Sequence, residues 1–130
     1  MATITPTLTI TSTDASADET LSLSVTDSLT TGQVFKGISR TVVSTVGASN
    51  IIQPDTSGAT YYVYIKHTGT TDGSTATTEN LGVELTGDTP FAVLAPSEFC
   101  FVPVGGGSFG VQLQSASGSI VAEYAYWKKG

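Results

Sequence analysis

Apolar and polar residues alternate with a period of two along most of this chain, which is the mark of strands with two distinct faces. The clearest case is TYYVYIKH. Tyr61, Val63, Ile65 and His67 alternate with Tyr62, Tyr64 and Lys66. After a Gly-, Thr- and Asp-rich stretch from Thr68 to Glu79, Leu81, Val83 and Leu85 alternate with Gly82, Glu84 and Thr86. Matching the two apolar sets predicts a hairpin with a long loop, Ile65 opposite Val83. Tyr62, Tyr64, Lys66 and Glu84 then share the other face. FAVLAPSEFCFVPV reads as two short strands around a Pro96-Ser97 turn, because proline donates no N–H and presets its own φ. The second strand stops at Gly105–Gly107.

The N-terminal segment TITPTLTIT alternates as strictly, with Ile4, Leu8 and Ile10 against threonines. Pro6 falls on its apolar side and removes a ladder donor, so the segment reads as an edge strand or extended arm. Thr13 to Thr20 is an acidic loop. Leu21, Leu23 and Val25 define a second strand, and 27–32 a turn. VFKGISRTVVSTV predicts a strand bent at Gly37, with Lys36 and Arg40 on one face. Ile51-Ile52 is a brief apolar segment between turns. Val111 and Leu113 point inward in the next strand. The last strand carries Ile120, Ala122, Tyr124 and Tyr126 on one side and Val121, Glu123, Ala125 and Trp127 on the other.

Eight to ten short strands, regular turn signals and no helical pattern point to an all-β antiparallel sandwich, jelly roll or closed barrel, and the expectation taken forward is an antiparallel β-sandwich, jelly-roll-like. The expected organisation is an N-terminal arm, edge strand and loop over residues 1–20, then a single sandwich domain over 21–130. No fixed-period repeat points to a solenoid.

Composition narrows the function. Charged residues are 12% of the 130 positions, the net charge is −6, and Lys and Arg number five. So few cations argue against nucleic acid and against anionic lipid as partners. No apolar run approaches a membrane span, and the start shows no leader pattern. Cys100 is the single cysteine, so no internal disulfide forms, and synthesis in the cytoplasm is expected. Thr, Ser and Gly make up roughly two-fifths of the chain, against a usual prevalence of charged surface residues. Thr suits the pleated surface of a strand.

Candidate chemistry is sparse. His67 is the sole histidine, which removes a His-His metal site and leaves a triad without a spare base. A Cys100–His67 dyad is weighed against a small buried thiol between Phe99 and Phe101. Glu84, Glu98 and Glu123 invite a glycosidase-like pair, against strand carboxylates that are solvated or paired. Asp72-Gly73 and Asp55–Gly58 lack the about six to eight oxygens that calcium takes and read as turns. The tri-glycine lacks the GK[ST] of a phosphate loop. The expectation is a protein without catalytic, cofactor-binding or metal-binding residues, and not an enzyme. Tyr62, Tyr64 and Trp127 read as subunit interface or core ahead of a carbohydrate platform.

Taken together, the Thr-rich arm TITPTLTIT, the segment YYVYIKHTGTTDGSTATTENLGVEL, the FAVLAPSEFCFVPV turn unit and the aromatic tail VAEYAYWKKG resemble small β-sandwich structural proteins of tailed bacteriophages, of the head-decoration or cement type. The resemblance implies a non-enzymatic virion protein made in the host cytoplasm. It implies a homo-oligomer, often a trimer, that clamps the major capsid protein; the alternatives are a tail or fibre component or a glycan- or receptor-binding module. The residues expected to meet partners are Thr3, Ile4, Leu8, Ile10, Tyr62, Tyr64 and Trp127, the arm adding a strand to a neighbour's sheet.

Overall fold

The computed structural model describes residues 2–13, 21–45, 49–52, 58–87, 89–105 and 110–130, without the side chains of 33–36 and 49–50. Of the segments singled out above, most of the acidic loop 13–20, most of Asp55–Gly58 and most of the tri-glycine lie outside these residues. Eleven strands are present among those described, more than the eight to ten expected. They are β1 (Ala2–Ile4), β2 (Thr7–Ser12), β3 (Leu21–Thr26), β4 (Leu29–Val43), β5 (Ser49–Ile52), β6 (Tyr61–His67), β7 (Leu81–Leu85), β8 (Pro90–Leu94), β9 (Phe99–Val104), β10 (Val111–Ser115) and β11 (Ile120–Lys129).

They form an antiparallel five-stranded sheet, β1-β4-β11-β6-β9, and a four-stranded sheet, β5-β10-β7-β8. A separate two-stranded sheet is made by β2 and β3. The two large sheets share one core, which identifies a β-sandwich-like, all-β protein. Val43, Val63, Ile65, Ile120 and Ala122 of the first sheet and Leu81, Val83, Val111 and Leu113 of the second belong to one buried cluster. Each residue is an alternate position on its strand, so the period-2 pattern is the direct cause of the layer. Tyr61 and Tyr126 add an edge-to-face aromatic pair at the margin of the core, centroids 5.8 Å apart.

The expected β6–β7 hairpin does not exist. β6 pairs with β11 and β9, and β7 with β10 and β8. Ile65 and Val83 do meet in one core, but from opposite sheets rather than as ladder partners. Apolar alternation specifies which face is buried; it is silent on whether the matching face lies beside or across. The Pro96-Ser97 turn likewise carries the chain from the second sheet to the first. Glu98 N–H donates to Ala95 C=O at 3.0 Å, and Ser97 has φ of 73°, which makes a type II turn with proline at its second position. Pro90 and Pro103 sit in β8 and β9, both at sheet edges, where a missing donor is least costly.

One further expectation changes, and the β4 ladder carries a bulge. β4 starts at Leu29, inside the stretch read as a turn. The register also slips at Gly37–Ile38: Tyr124 pairs with Ser39 but Tyr126 with Lys36. That bulge adds one residue to β4; the side chain of Lys36, expected on one face with Arg40, lies outside those described.

The segment after β6 is ordered by its own hydrogen bonds. Thr70 and Ala76 form a β-bridge, and Thr68 N–H and Val121 N–H exchange bonds with the carbonyls of Val121 and Thr70. His67, fully buried, closes the base: Gly69 N–H donates to Nδ1 at 2.9 Å and Nε2 lies 2.8 Å from the Glu79 carbonyl.

Candidate interaction surface

The outer face of the five-stranded sheet collects aromatic side chains. Tyr62 and Tyr64 occupy alternate positions of β6, and in the β11 register Trp127 stands opposite Tyr62 and Ala125 opposite Tyr64. The three aromatics expected to meet partners therefore share one face. On the other side of β6, Phe101 pairs with Tyr64, Phe99 with Lys66 and Pro103 with Tyr62. The Tyr62 ring stacks on Phe101, centroids 6.1 Å apart and planes 10° apart. Lys129 Nζ sits 5.0 Å from the Tyr62 centroid, within cation–π range.

A polar cluster flanks these rings. Tyr64 Oη donates to Glu123 Oε1 at 3.0 Å, and Arg40 Nε reaches Glu123 Oε2 at 3.3 Å. Burial, then the hydrogen bond to Glu123 and its negative charge, push the Tyr64 phenol above its ordinary ionisation range. The ion pair is solvent-exposed on the arginine side and contributes little by itself.

The second component is the β2–β3 hairpin. Its ladder sets Leu8 opposite Val25, Ile10 opposite Leu23 and Ser12 opposite Leu21. One face therefore carries Leu8, Ile10, Leu21, Leu23 and Val25, all exposed, and the other only threonine and serine hydroxyls. Pro6, which breaks β1 from β2, accepts a hydrogen bond from Asp27 N–H at 3.2 Å and closes the hairpin base. Thr7 and Thr26 hydroxyls meet at 3.1 Å. A groove of about 630 Å³ runs between hairpin and sheet, lined by Pro6, Leu8, Val25, Tyr62, Phe101 and Pro103 among others.

The remaining arm residues lie elsewhere. Thr3 and Ile4 belong to β1, which pairs with residues 29–31 of β4. Ala2–Ile4 is thus the edge strand of its own sheet, and Thr31, buried, donates its hydroxyl to Ala2 C=O at 3.2 Å. β3 pairs with β2 and with neither large sheet.

The weighed chemical groups are engaged by local partners. Glu84 lies on the second sheet, not with Tyr62 and Tyr64, and it is 3% exposed rather than solvated. Gln112 Nε2 donates to its Oε1. With the amide of Gln114 turned to face the carboxylate, its nitrogen lies 3.3 Å from both oxygens. Glu98 receives the Ala95 N–H within the Pro96 turn, and Glu123 is on the first sheet. Both ring nitrogens of His67 are engaged by backbone groups, so it has no lone pair to offer Cys100. Burial raises the Cys100 thiol above its ordinary range. Asp72 spends its carboxylate on Ser74 N–H, Thr75 N–H and the Thr75 hydroxyl, which is turn chemistry. Those bonds, the ones from Thr75 and Ser74 foremost, lower its ionisation range. Among the described residues no His, Cys, Asp and Glu side chains cluster as metal ligands.

Phe99, Phe101, Leu21, Leu23 and Val25 belong to this surface but were not among the expected partner residues. Their signal was present: each alternates on a strand. In Phe99–Val104, however, both faces are apolar, and the pattern alone does not tell the core face from the outer one.

The chain matches no protein-family model, and no curated protein matches it in sequence.

Proposed function

We propose that the chain is a non-enzymatic structural protein of a virion, a head-decoration or cement protein that stabilises the particle by self-association and contacts with the capsid lattice. One observation carries this reading: a hairpin stands outside both large sheets and presents five apolar side chains to solvent on one face. A contiguous apolar face of this kind, unlike scattered apolar side chains, often marks an interaction site.

The strand order supports a jelly roll as the finer description of the sandwich. Counting β4 to β11 as eight strands, the first, eighth, third and sixth make one sheet and the second, seventh, fourth and fifth the other. Jelly rolls recur in capsid proteins and in lectins, an analogy of fold that raises the prior without identifying a site. Assembly on a lattice multiplies weak contacts, so a modest apolar surface per copy suffices. The test is to raise antibodies against the purified chain and probe particles from cultures that produce it. Label on the particles is the expected result; label confined to the particle-free fraction overturns the assignment.

A second reading, a glycan-binding module, is favoured by the aromatic outer face, where Tyr62, Phe101 and the groove beside them offer a stacking surface. Binding on a glycan array that disappears with Tyr62→Ala would establish it.

A further inference from the structure

We propose that a second copy of this chain covers the apolar face of the β2–β3 hairpin, stripe against stripe about a two-fold axis, with the aromatic wall of the groove completing the contact. The inference deepens the self-association reading above and rests on it.

Area and charge commit the occupant. Leu8, Ile10, Leu21, Leu23 and Val25 are 41–52% exposed. At roughly 180 Å² for a fully exposed residue of this size, the stripe leaves on the order of 400 Å² open, as much as the largest apolar patch on a typical monomer. Leu8 and Val25 line the same groove as Phe99 and Phe101, which are 57% and 36% exposed. Together these side chains offer about 600 Å² per copy, so two copies bury about 1,200 Å², the lower bound of stable interfaces.

The charge argument is independent. The chain carries −6, yet β2 and β3 contain no ionisable side chain. Like-on-like packing of these two strands therefore sets no ionisable side chain of one against the other, and Asp27 stands at the end of the stripe, in the groove. A two-stranded face is also self-complementary in the way a two-fold contact demands: a leucine or isoleucine of one copy meets the same set on the other. The hydroxyl face, with Thr9 opposite Ser24, has no such driving force.

The experiment is sedimentation equilibrium of the full chain beside Ile10→Lys, Leu23→Lys and Thr9→Lys, each checked by circular dichroism. The milder pair Ile10→Ser and Leu23→Ser replaces the lysine variants if those misfold. The wild-type chain is expected at twice its 13.4 kDa or a multiple of that. The stripe variants should dissociate at least tenfold more readily, and Thr9→Lys should behave as wild type. A monomeric wild type, stripe variants that remain associated, or a Thr9→Lys effect as large as theirs overturns the proposal. Particle labelling reads the virion assignment separately: labelled particles with a monomeric chain refute only the two-fold contact, and an oligomer absent from particles refutes only the virion reading.

Discussion

Gly69 donates its N–H to Nδ1 of buried His67 at 2.9 Å, which forces the ring proton onto Nε2, 2.8 Å from the Glu79 carbonyl. The imidazole thus bridges the two ends of the 68–80 segment. The residue that alternation assigned to the inward face of a strand is inward, and it works as a hydrogen-bonded staple.

His67→Leu should keep the volume and lose both bonds. A buried backbone group left without a partner costs about 1–3 kcal/mol, and these two are half-buried, so each should cost less than that and the urea midpoint should fall with an unchanged m-value. A midpoint within error of wild type would show that Gly69 and Glu79 find other partners.

Gly69 and Gly37 should respond in opposite directions to alanine. Gly69 has φ of +82°, and a Cβ there would lie 3.3 Å from Ser97 Oγ. Gly37 has nothing within 4 Å of an added Cβ and no positive φ. Gly69→Ala should destabilise by roughly 1–2 kcal/mol, through the left-handed conformation. Gly37→Ala should be neutral or stabilise by up to about 1 kcal/mol, by reducing the freedom of the unfolded chain. Thermal unfolding of the two variants side by side decides the matter.

What could be read in advance follows a physical rule. Alternation identified the buried sides of β6, β7 and β10 because burial acts on every second residue of a strand; β11 buries residues on both of its faces, Ala122 and Ala125 among them. It misplaced the partner of β6 because Ile65 and Val83 satisfy the same hydrophobic demand whether they sit in one sheet or face across two. The edge character of Ala2–Ile4 was visible through Pro6. That β2 would take β3 as its partner was not, since hydrogen-bond pairing between amphipathic strands leaves no mark in the residue types. Tyr62, Tyr64 and Trp127 were legible as a set because all three lie on the less apolar sides of two strands. Phe99 and Phe101 were hidden by the apolar residues between them.

Tyr64 offers a titration test. Its phenol is held above an ordinary value of 10.0, first by burial and then by Glu123 as hydrogen-bond acceptor and charge. The neutral form is favoured by folding, so this contribution is complete below pH 10 and is lost as pH rises through the folded-state value. Glu123→Gln should lower the Tyr64 transition, followed at 295 nm, toward the ordinary value without reaching it, because the burial remains. A transition that does not move would mean that Glu123 is not the acceptor in solution.

Cys100 gives a readout of the sheet interface between β6 and β9. Its thiol is raised by burial alone, so at pH 8 the folded protein holds less thiolate than a free cysteine and should react slowly with a disulfide reagent. By linkage, the neutral thiol favours the folded state. This stabilisation is full below the unfolded thiol's range and is lost as pH climbs from there through the folded-state value. Ile65 pairs with Cys100 in the ladder and is fully buried beside it. Ile65→Ala, which should cost roughly 2–5 kcal/mol, should therefore accelerate the labelling by raising the population of open states. Labelling of the wild-type protein as fast as in denaturant would place the thiol in solvent and contradict the packing of β9 against the core.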